Sequence, residues 1–282
     1  MSPASSLQQQ LREAAGRLAA AGVAAPAAEA RILAGHLLQV EPAALLTAPA
    51  MTPEQEQQLA ELVRRRVAGA PVQHLTGEAW FRHVRLQVGP GVFVPRPETE
   101  VLVGWVLQQL SGLERPLVVD LCTGSGAIAR AVADEAPHAV VHAVELSEDA
   151  LVWAEQNLAG TTVQLHAGDM ADALPELDGT VDVVVANPPY IPLSAWESVA
   201  PDVRDHDPHL ALFSGADGLD AMRVLARTAA RLLRPGGLVA AEHAEVQEEA
   251  VVQLFVDHGG WDAVRDHRDL NDRSRFVTAV RR

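Results

Sequence analysis

Apolar positions in the first quarter of the chain recur at helical spacing, and no strand-like alternation appears before about Phe81. Leu7, Leu11 and Leu18 mark one helical face behind Ser6-Leu7-Gln8-Gln9, a capping-box pattern, and this run closes at Gly22. Pro26 opens a second helix that extends to about Val40, and Glu41-Pro42 opens a short third. Thr52-Pro53-Glu54-Gln55 caps a fourth, whose Leu59, Leu62, Val63 and Val67 are expected to turn inward. Residues 1–76 therefore predict a small helical domain, large enough for a modest core but not for a catalytic cleft. The pattern then changes. Trp80–Val88 alternates, Gly89-Pro90-Gly91 is a turn, and Val92–Val94 reads as a second short strand, which predicts a β-hairpin connector across residues 77–97. Pro95-Arg96-Pro97-Glu98-Thr99-Glu100 leads into a helix running to about Leu110, with Thr99 and Glu100 in its first turn. Over residues 98–282, short apolar runs alternate with helical stretches. Pro116–Leu121, Val140–Glu145 and Thr180–Ala186 are the valine-rich runs of parallel strands buried on both faces, and Ala127–Glu135 is helical between the first two. This order predicts a doubly wound, Rossmann-like α/β sheet with helices on both faces.

Charge narrows the choice of partner. The 282 residues carry 22 basic side chains, all arginine, and a net charge of −15. The helical segment balances six Arg against six Glu, so the acidic excess lies in the rest. Without lysine, Schiff-base and P-loop lysine chemistry is excluded. A chain this acidic is a poor candidate for gripping a nucleic-acid backbone. Arg64-Arg65-Arg66 could face an acidic partner or form an ordinary solvated helix face. The single cysteine permits no internal disulfide, as in a reducing cytosol. No secretory pattern opens the chain and no apolar run nears membrane-spanning length, so a cytoplasmic protein without membrane contact is expected.

Two strand ends carry candidate chemistry. Cys122-Thr123-Gly124-Ser125-Gly126 follows the strand that ends at Leu121 and precedes a helix, a place where backbone N–H groups approach a ligand. Gly124–Ala129 also fits the dinucleotide fingerprint, so the glycines alone do not decide the ligand. Asp120 does: a carboxylate at the mouth of this loop repels a pyrophosphate and attracts an ammonium group. Glu145 ends the next strand about 20 residues on, where an acidic side chain grips ribose hydroxyls. Ammonium plus ribose without phosphate describes S-adenosyl-L-methionine. Met170, after Asp169, either packs on the adenine or belongs to the core. The second strand end is Asn187-Pro188-Pro189-Tyr190. Two prolines stiffen the backbone, the Asn187 oxygen and the Pro188 carbonyl are acceptors, and Tyr190 adds a flat face. That set suits a planar NH2 group, although four such residues could also simply close a strand. His206 and His209, three apart, are too few for a metal site, and none is expected.

The segments Asp120–Ala129, Ala143–Ser147, Gly168–Met170 and Asn187–Ile191 occur in the order seen in the protein-(glutamine-N5) methyltransferases, and the chain resembles that family from about Gly69 onward. Gly69–Phe81 and Val88–Glu100 look like its connector, and Asp207–Asp220, Leu233–His243 and Asp269–Ala279 like its closing segments. The PRPETE stretch matters most, because NPPY also occurs in DNA adenine methyltransferases. The resemblance implies methylation of the glutamine in the Gly-Gly-Gln motif of bacterial class I peptide chain release factors, with S-adenosyl-L-homocysteine as product. It implies catalytic roles for Asn187, Pro188 and Tyr190, with Pro189 also at the substrate. Cofactor contacts are implied for Asp120, Cys122, Thr123, Gly124, Ser125, Gly126, Glu145, Met170 and Asn187. It gives the helical domain a docking role. Cys122 stands where the family usually has Gly, Glu145 where many relatives have Asp, and Ala244 where Gly is usual. A thiol beside a helix N-terminus could be activated, or could simply pack beneath the cofactor. The alternative enzyme is an amino-methyltransferase for adenine or guanine in nucleic acid, which would need a basic groove.

Overall fold

In the computed structural model, which describes residues 6–282, the chain divides into two units. One comprises the described residues up to Glu78 together with Ala200–His206, and the other the remainder. The first unit contains α1 (Leu7–Ala20), α2 (Pro26–Leu38), a 3-10 turn at Pro42–Leu46, α3 (Pro53–Val67) and α4 (Val72–Thr76), a short helix the sequence pattern did not reveal. Leu11, Leu18, Leu33, Leu59, Val63 and Leu75 form its core. The capping box of α3 is complete, with Gln55 N–H on the Thr52 hydroxyl and Thr52 N–H on the Gln55 side chain. At α1 the Ser6 hydroxyl accepts from Gln9 N–H, but the Gln9 side chain turns to Glu13 instead of completing a box. Val67 is exposed, against expectation. The inward position of that last turn is taken by Arg66, whose guanidinium pairs with Glu29 of α2 at 2.6 Å. The arginine run thus splits: Arg64 and Arg65 are solvated and Arg66 is tied down.

The hairpin is also placed differently from the sequence reading. Its strands are β1 (Glu78–Phe81) and β2 (Val84–Gln87), with the turn at Arg82-His83 and no strand at Val92–Val94. The buried positions change phase there, from Ala79 and Phe81 to Val84 and Leu86, as a two-residue turn requires. Arg82 holds the turn at φ 51° by donating its N–H to Glu100 and pairing its guanidinium with Glu135.

After α5 (Thr99–Leu110) come β3 (Leu117–Leu121), α6 (Ala127–Glu135), β4 (Val140–Glu145), α7 (Glu148–Leu158), β5 (Gln164–Ala167) and β6 (Val181–Ala186). The short α8 (Pro201–Arg204) and α9 (His209–Leu212) precede α10 (Asp220–Leu232), β7 (Leu233–Glu242), α11 (Glu248–His258), β8 (Trp261–Arg268) and β9 (Ser274–Arg281). The large sheet runs β5-β4-β3-β6-β7-β9-β8, parallel except that β9 is antiparallel to both neighbours. Alternate residues of β3 and β6 enter opposite cores, Val118, Val183 and Val185 on one face and Val119, Leu121 and Val184 on the other. Burial on both faces explains why these strands are continuous apolar runs. Among the described residues no helix is long and apolar enough to cross a membrane.

Candidate active site at the carboxyl edge of the sheet

Strand order decides what meets at this edge. The chain winds outward from β3 to β4 and β5, then returns to place β6 on the other side of β3. The crevice between β3 and β6 is a topological switch point, where open α/β sheets take their ligands. Leu121 pairs in register with Val144 and Ala186, and Ala186 with Ala241. The ends of four adjacent strands therefore bring Cys122, Glu145, Asn187 and Glu242 to one edge.

The loop after β3 is built around Asp120. Its Oδ2 accepts from the Thr123 hydroxyl at 2.5 Å and from Ala129 N–H at 3.1 Å. Its Oδ1 is buried and has no hydrogen-bond partner among the described residues. Burial pushes the Asp120 carboxyl up to about 7, against the two hydrogen bonds and helped by the charge of Glu145. Asp120 is thus fully buried beneath the loop rather than open at its mouth. Glu145 accepts Gly124 N–H on Oε2 and Ser147 N–H on Oε1, both at 2.8 Å. Its longer side chain is spanned between the two loops, and remaining lone pairs are left for hydroxyl donors. Thr123 N–H donates to the Val144 carbonyl, and the Ser125 carbonyl accepts from Asn157. Above Gly124 and Gly168 the space is open, with nothing within 4 Å of where a Cβ would stand.

Cys122 adopts φ 61°, a left-handed conformation that glycine takes up without the steric cost a side chain brings. Burial, then the charges of Glu145, Asp120 and Asp169, push its thiol well above the usual range. Those effects override the helix N-terminus, so the thiol is not activated. Cys122 Sγ lies 3.7 Å from Sδ of Met170, which starts a 3-10 turn capped by Asp169 and packs partly buried against the core. Ala244, by contrast, sits at an ordinary φ of −71°, so its place needs no glycine.

Asn187, Pro188, Pro189 and Tyr190 leave the end of β6 with Pro188 buried and the others half-buried. Asn187 Nδ2 donates to the Thr99 hydroxyl at 3.3 Å, and that hydroxyl donates to Glu242 Oε2 at 2.6 Å. The Tyr190 hydroxyl donates to Glu242 Oε1 at 3.3 Å. Burial raises Glu242 to about 7, opposed by Thr99, Arg275 and Tyr190 and reinforced by Glu98. The Tyr190 hydroxyl is pushed up by its own burial and by the nearby Glu242 charge. Gln247 Nε2 donates to the Tyr190 carbonyl at 2.9 Å, and Ile191 is held in both directions by Leu212 and Ser214. Glu100, by contrast, points to the Arg82 turn and away from this edge. His209 packs edge-on against Trp196 and Phe213, and Asp207 pairs with Arg96 at 2.7 Å. The sequence reading missed Glu242 and Gln247. Glu242 carried the signal that picked out Glu145, an acidic residue ending an apolar strand.

Residues 9–77 match the family described as PrmC N-terminal domain, and residues 118–206 the family described as Methyltransferase domain. The chain is 54% identical over 275 residues to the release factor glutamine methyltransferase of Streptomyces coelicolor, covering 97% of each chain. It is 47% identical over 278 residues to that of Mycolicibacterium smegmatis, covering 98% of each. It is also 44% identical over 285 residues to the 4-amino-L-phenylalanine/4-methylamino-L-phenylalanine methyltransferase of Streptomyces pristinaespiralis, covering 99% of this chain and 96% of that one. With near-complete coverage at these identities, the chain belongs to the release factor glutamine methyltransferase family.

Proposed function

We propose that this chain is an S-adenosyl-L-methionine-dependent methyltransferase acting on the side-chain amide nitrogen (N5) of the Gly-Gly-Gln glutamine in bacterial class I release factors, a cytoplasmic step supporting translation termination. The observation that carries it is the fixed orientation of Asn187. With Nδ2 committed to Thr99, its Oδ1 remains as the acceptor for an incoming NH2 group.

The residues present fit the cofactor. The unpartnered, buried Asp120 Oδ1 calls for a cationic group, Glu145 keeps acceptors for hydroxyls, and the space above Gly124 is open to a ligand. Thr123, Ser125 and Gly126 would shape the cradle, and Cys122 and Met170 would pack beside the bound cofactor. When bound, S-adenosyl-L-methionine supplies an electrophilic methyl group on sulfonium sulfur and leaves as S-adenosyl-L-homocysteine. An amide nitrogen is a weak nucleophile because its lone pair is shared with the carbonyl. Asn187 and the Pro188 carbonyl accept its two N–H groups, orient the nitrogen and stabilise positive charge developing on it. Tyr190 packs on the flat amide, and Pro189 stiffens the segment. The nitrogen sheds its extra proton to solvent after the methyl has moved, so no general base is required before transfer.

Binding should report the Asp120 environment. Ionised Asp120 is the form that receives an ammonium, so affinity for S-adenosyl-L-methionine should weaken as pH falls through about 7, by up to tenfold per unit. Calorimetry across that range checks it, and NAD should not bind at any pH. NAD binding without a response to S-adenosyl-L-methionine would overturn the cofactor assignment.

The substrate test is methyl transfer measured side by side on release factor, 4-amino-L-phenylalanine, duplex DNA and ribosomal RNA. Transfer to the Gly-Gly-Gln glutamine is expected. The arylamine arm is included because the Streptomyces pristinaespiralis relative bears that name, and exclusive transfer to it or to nucleic acid would sink the proposal. The helical unit serves docking in this reading, since the site residues all come from the other unit. A chain lacking residues 1–70 should keep its cofactor affinity and methylate intact release factor more slowly. Undiminished transfer by the shortened chain would remove that role.

A further inference from the structure

We propose that Thr99 and Glu242 are positioning residues that lock the Asn187 amide with its oxygen, and not its NH2, toward the substrate nitrogen. The inference rests on the amide-transfer reading above and deepens it. A threonine hydroxyl has one proton. Thr99 gives it to Glu242 Oε2 at 2.6 Å, so toward Asn187 its oxygen acts as an acceptor. Asn187 Nδ2 donates into that oxygen at 3.3 Å. A flipped Asn187 would set its own oxygen against the same lone pair and aim its NH2 at the substrate NH2, donor against donor. One hydrogen bond on the protein side thus decides which end of the amide the substrate meets.

The other half of the carboxylate serves the other half of the motif. Glu242 Oε1 accepts the Tyr190 hydroxyl, so one buried side chain ties down both the acceptor and the flat face. Thr99 is 4% exposed and Glu242 2% exposed, so water does not compete freely for these bonds. Burial is the largest influence on Glu242 and disfavours its ionised form, as does Glu98, while the Thr99 and Tyr190 hydrogen bonds and Arg275 favour it. Ionised Glu242 is acceptor-only, and that is the property the relay needs. The three elements involved are the first turn of α5, the end of β7 and the end of β6. The relay therefore fixes the motif to the sheet and to the PRPETE segment at once.

The test is single-turnover methyl transfer together with S-adenosyl-L-methionine binding. Thr99→Val should slow transfer by about tenfold or more, Thr99→Ser should restore most of the rate, and cofactor affinity should stay near wild type in both. Glu242→Gln should also slow transfer, because its NH2 must face either the Thr99 or the Tyr190 donor. Tyr190 is the chain's single tyrosine, so 13C-tyrosine labelling gives one ring signal, which should shift in Glu242→Gln and stay in place in Thr99→Val. In an Asn187→Ala background, adding Thr99→Val should cost no more than about twofold, since Thr99 acts only through Asn187. If Thr99→Val does not bind cofactor, Thr99→Ala carries the same comparison. Fully additive losses, or a Thr99→Val rate equal to wild type, would overturn the inference. A wild type that methylates an amine but no release factor would overturn the substrate reading instead, and the same variants then test the relay on that amine.

Discussion

Replacing Asn187 by alanine should lower single-turnover methyl transfer to the release-factor glutamine by about 10²–10³, the usual cost of one preorganised hydrogen bond at a reacting centre. The carboxamide is held by Thr99 before any substrate arrives, so the wild type expends nothing on ordering it during the reaction. Alanine removes the acceptor and leaves the substrate nitrogen solvated and out of line with the departing sulfur. Cofactor affinity should fall far less than the rate, because Asp120 and Glu145, the proposed cofactor contacts, belong to other loops. Asn187→Asp keeps an oxygen acceptor but loses the NH2 that meets Thr99, and adds negative charge to an edge already carrying Asp120, Glu145 and Glu242. It should therefore impair cofactor binding as well as transfer. An alanine variant that kept most of the wild-type rate would remove Asn187 from the mechanism.

Gly218→Ala should nearly abolish transfer while leaving cofactor binding largely intact. Gly218 sits at φ +79°, and an added Cβ would lie 2.3 Å from the Tyr190 carbonyl oxygen and 2.7 Å from Gln247 Nε2. Both atoms belong to the hydrogen bond that anchors Tyr190. The clash is with backbone, so the NPPY loop itself must move. The backbone strain alone costs about 1–3 kcal/mol, which lowers the midpoint of thermal unfolding by roughly 2–10 °C. Gly179→Ala is the control: φ is +69°, but nothing lies within 4 Å of its added Cβ. It should cost stability without changing the rate. Equal rates for the Gly218 variant and wild type would show that Tyr190 need not be held where it is.

Much of the local structure was legible because it is written in short-range terms. The Thr52 box joins residues three apart, and helical spacing of leucines and continuous valine runs report burial on one side or both. The strand ends Leu121, Glu145 and Ala186 and the helix Ala127–Glu135 were placed at the observed residues by that logic. The hairpin was misplaced because alternation was read straight through Arg82-His83. Only the phase change from Phe81 to Val84 marks the turn, and Glu100 and Glu135, distant in sequence, hold it. Val67 failed for a related reason: helical spacing ranks faces, but the Arg66–Glu29 pair decided which residue turned inward.

The sequence by itself determined the element types, the acidic and lysine-free surface, and the residue types at two strand ends. Those are properties of neighbours along the chain. The tertiary structure decided which strand ends lie side by side, and so that Asp120, Glu145, Asn187 and Glu242 share one edge. It also decided that Asp120 and Glu242 are buried, which sets their protonation near neutrality, and that the Cys122 thiol is held protonated. Desolvation depends on everything packed around a group and leaves no mark in local spacing. Thr99 and Glu242 stand 143 residues apart, and only folding makes the hydrogen bond on which the proposed orientation of Asn187 rests.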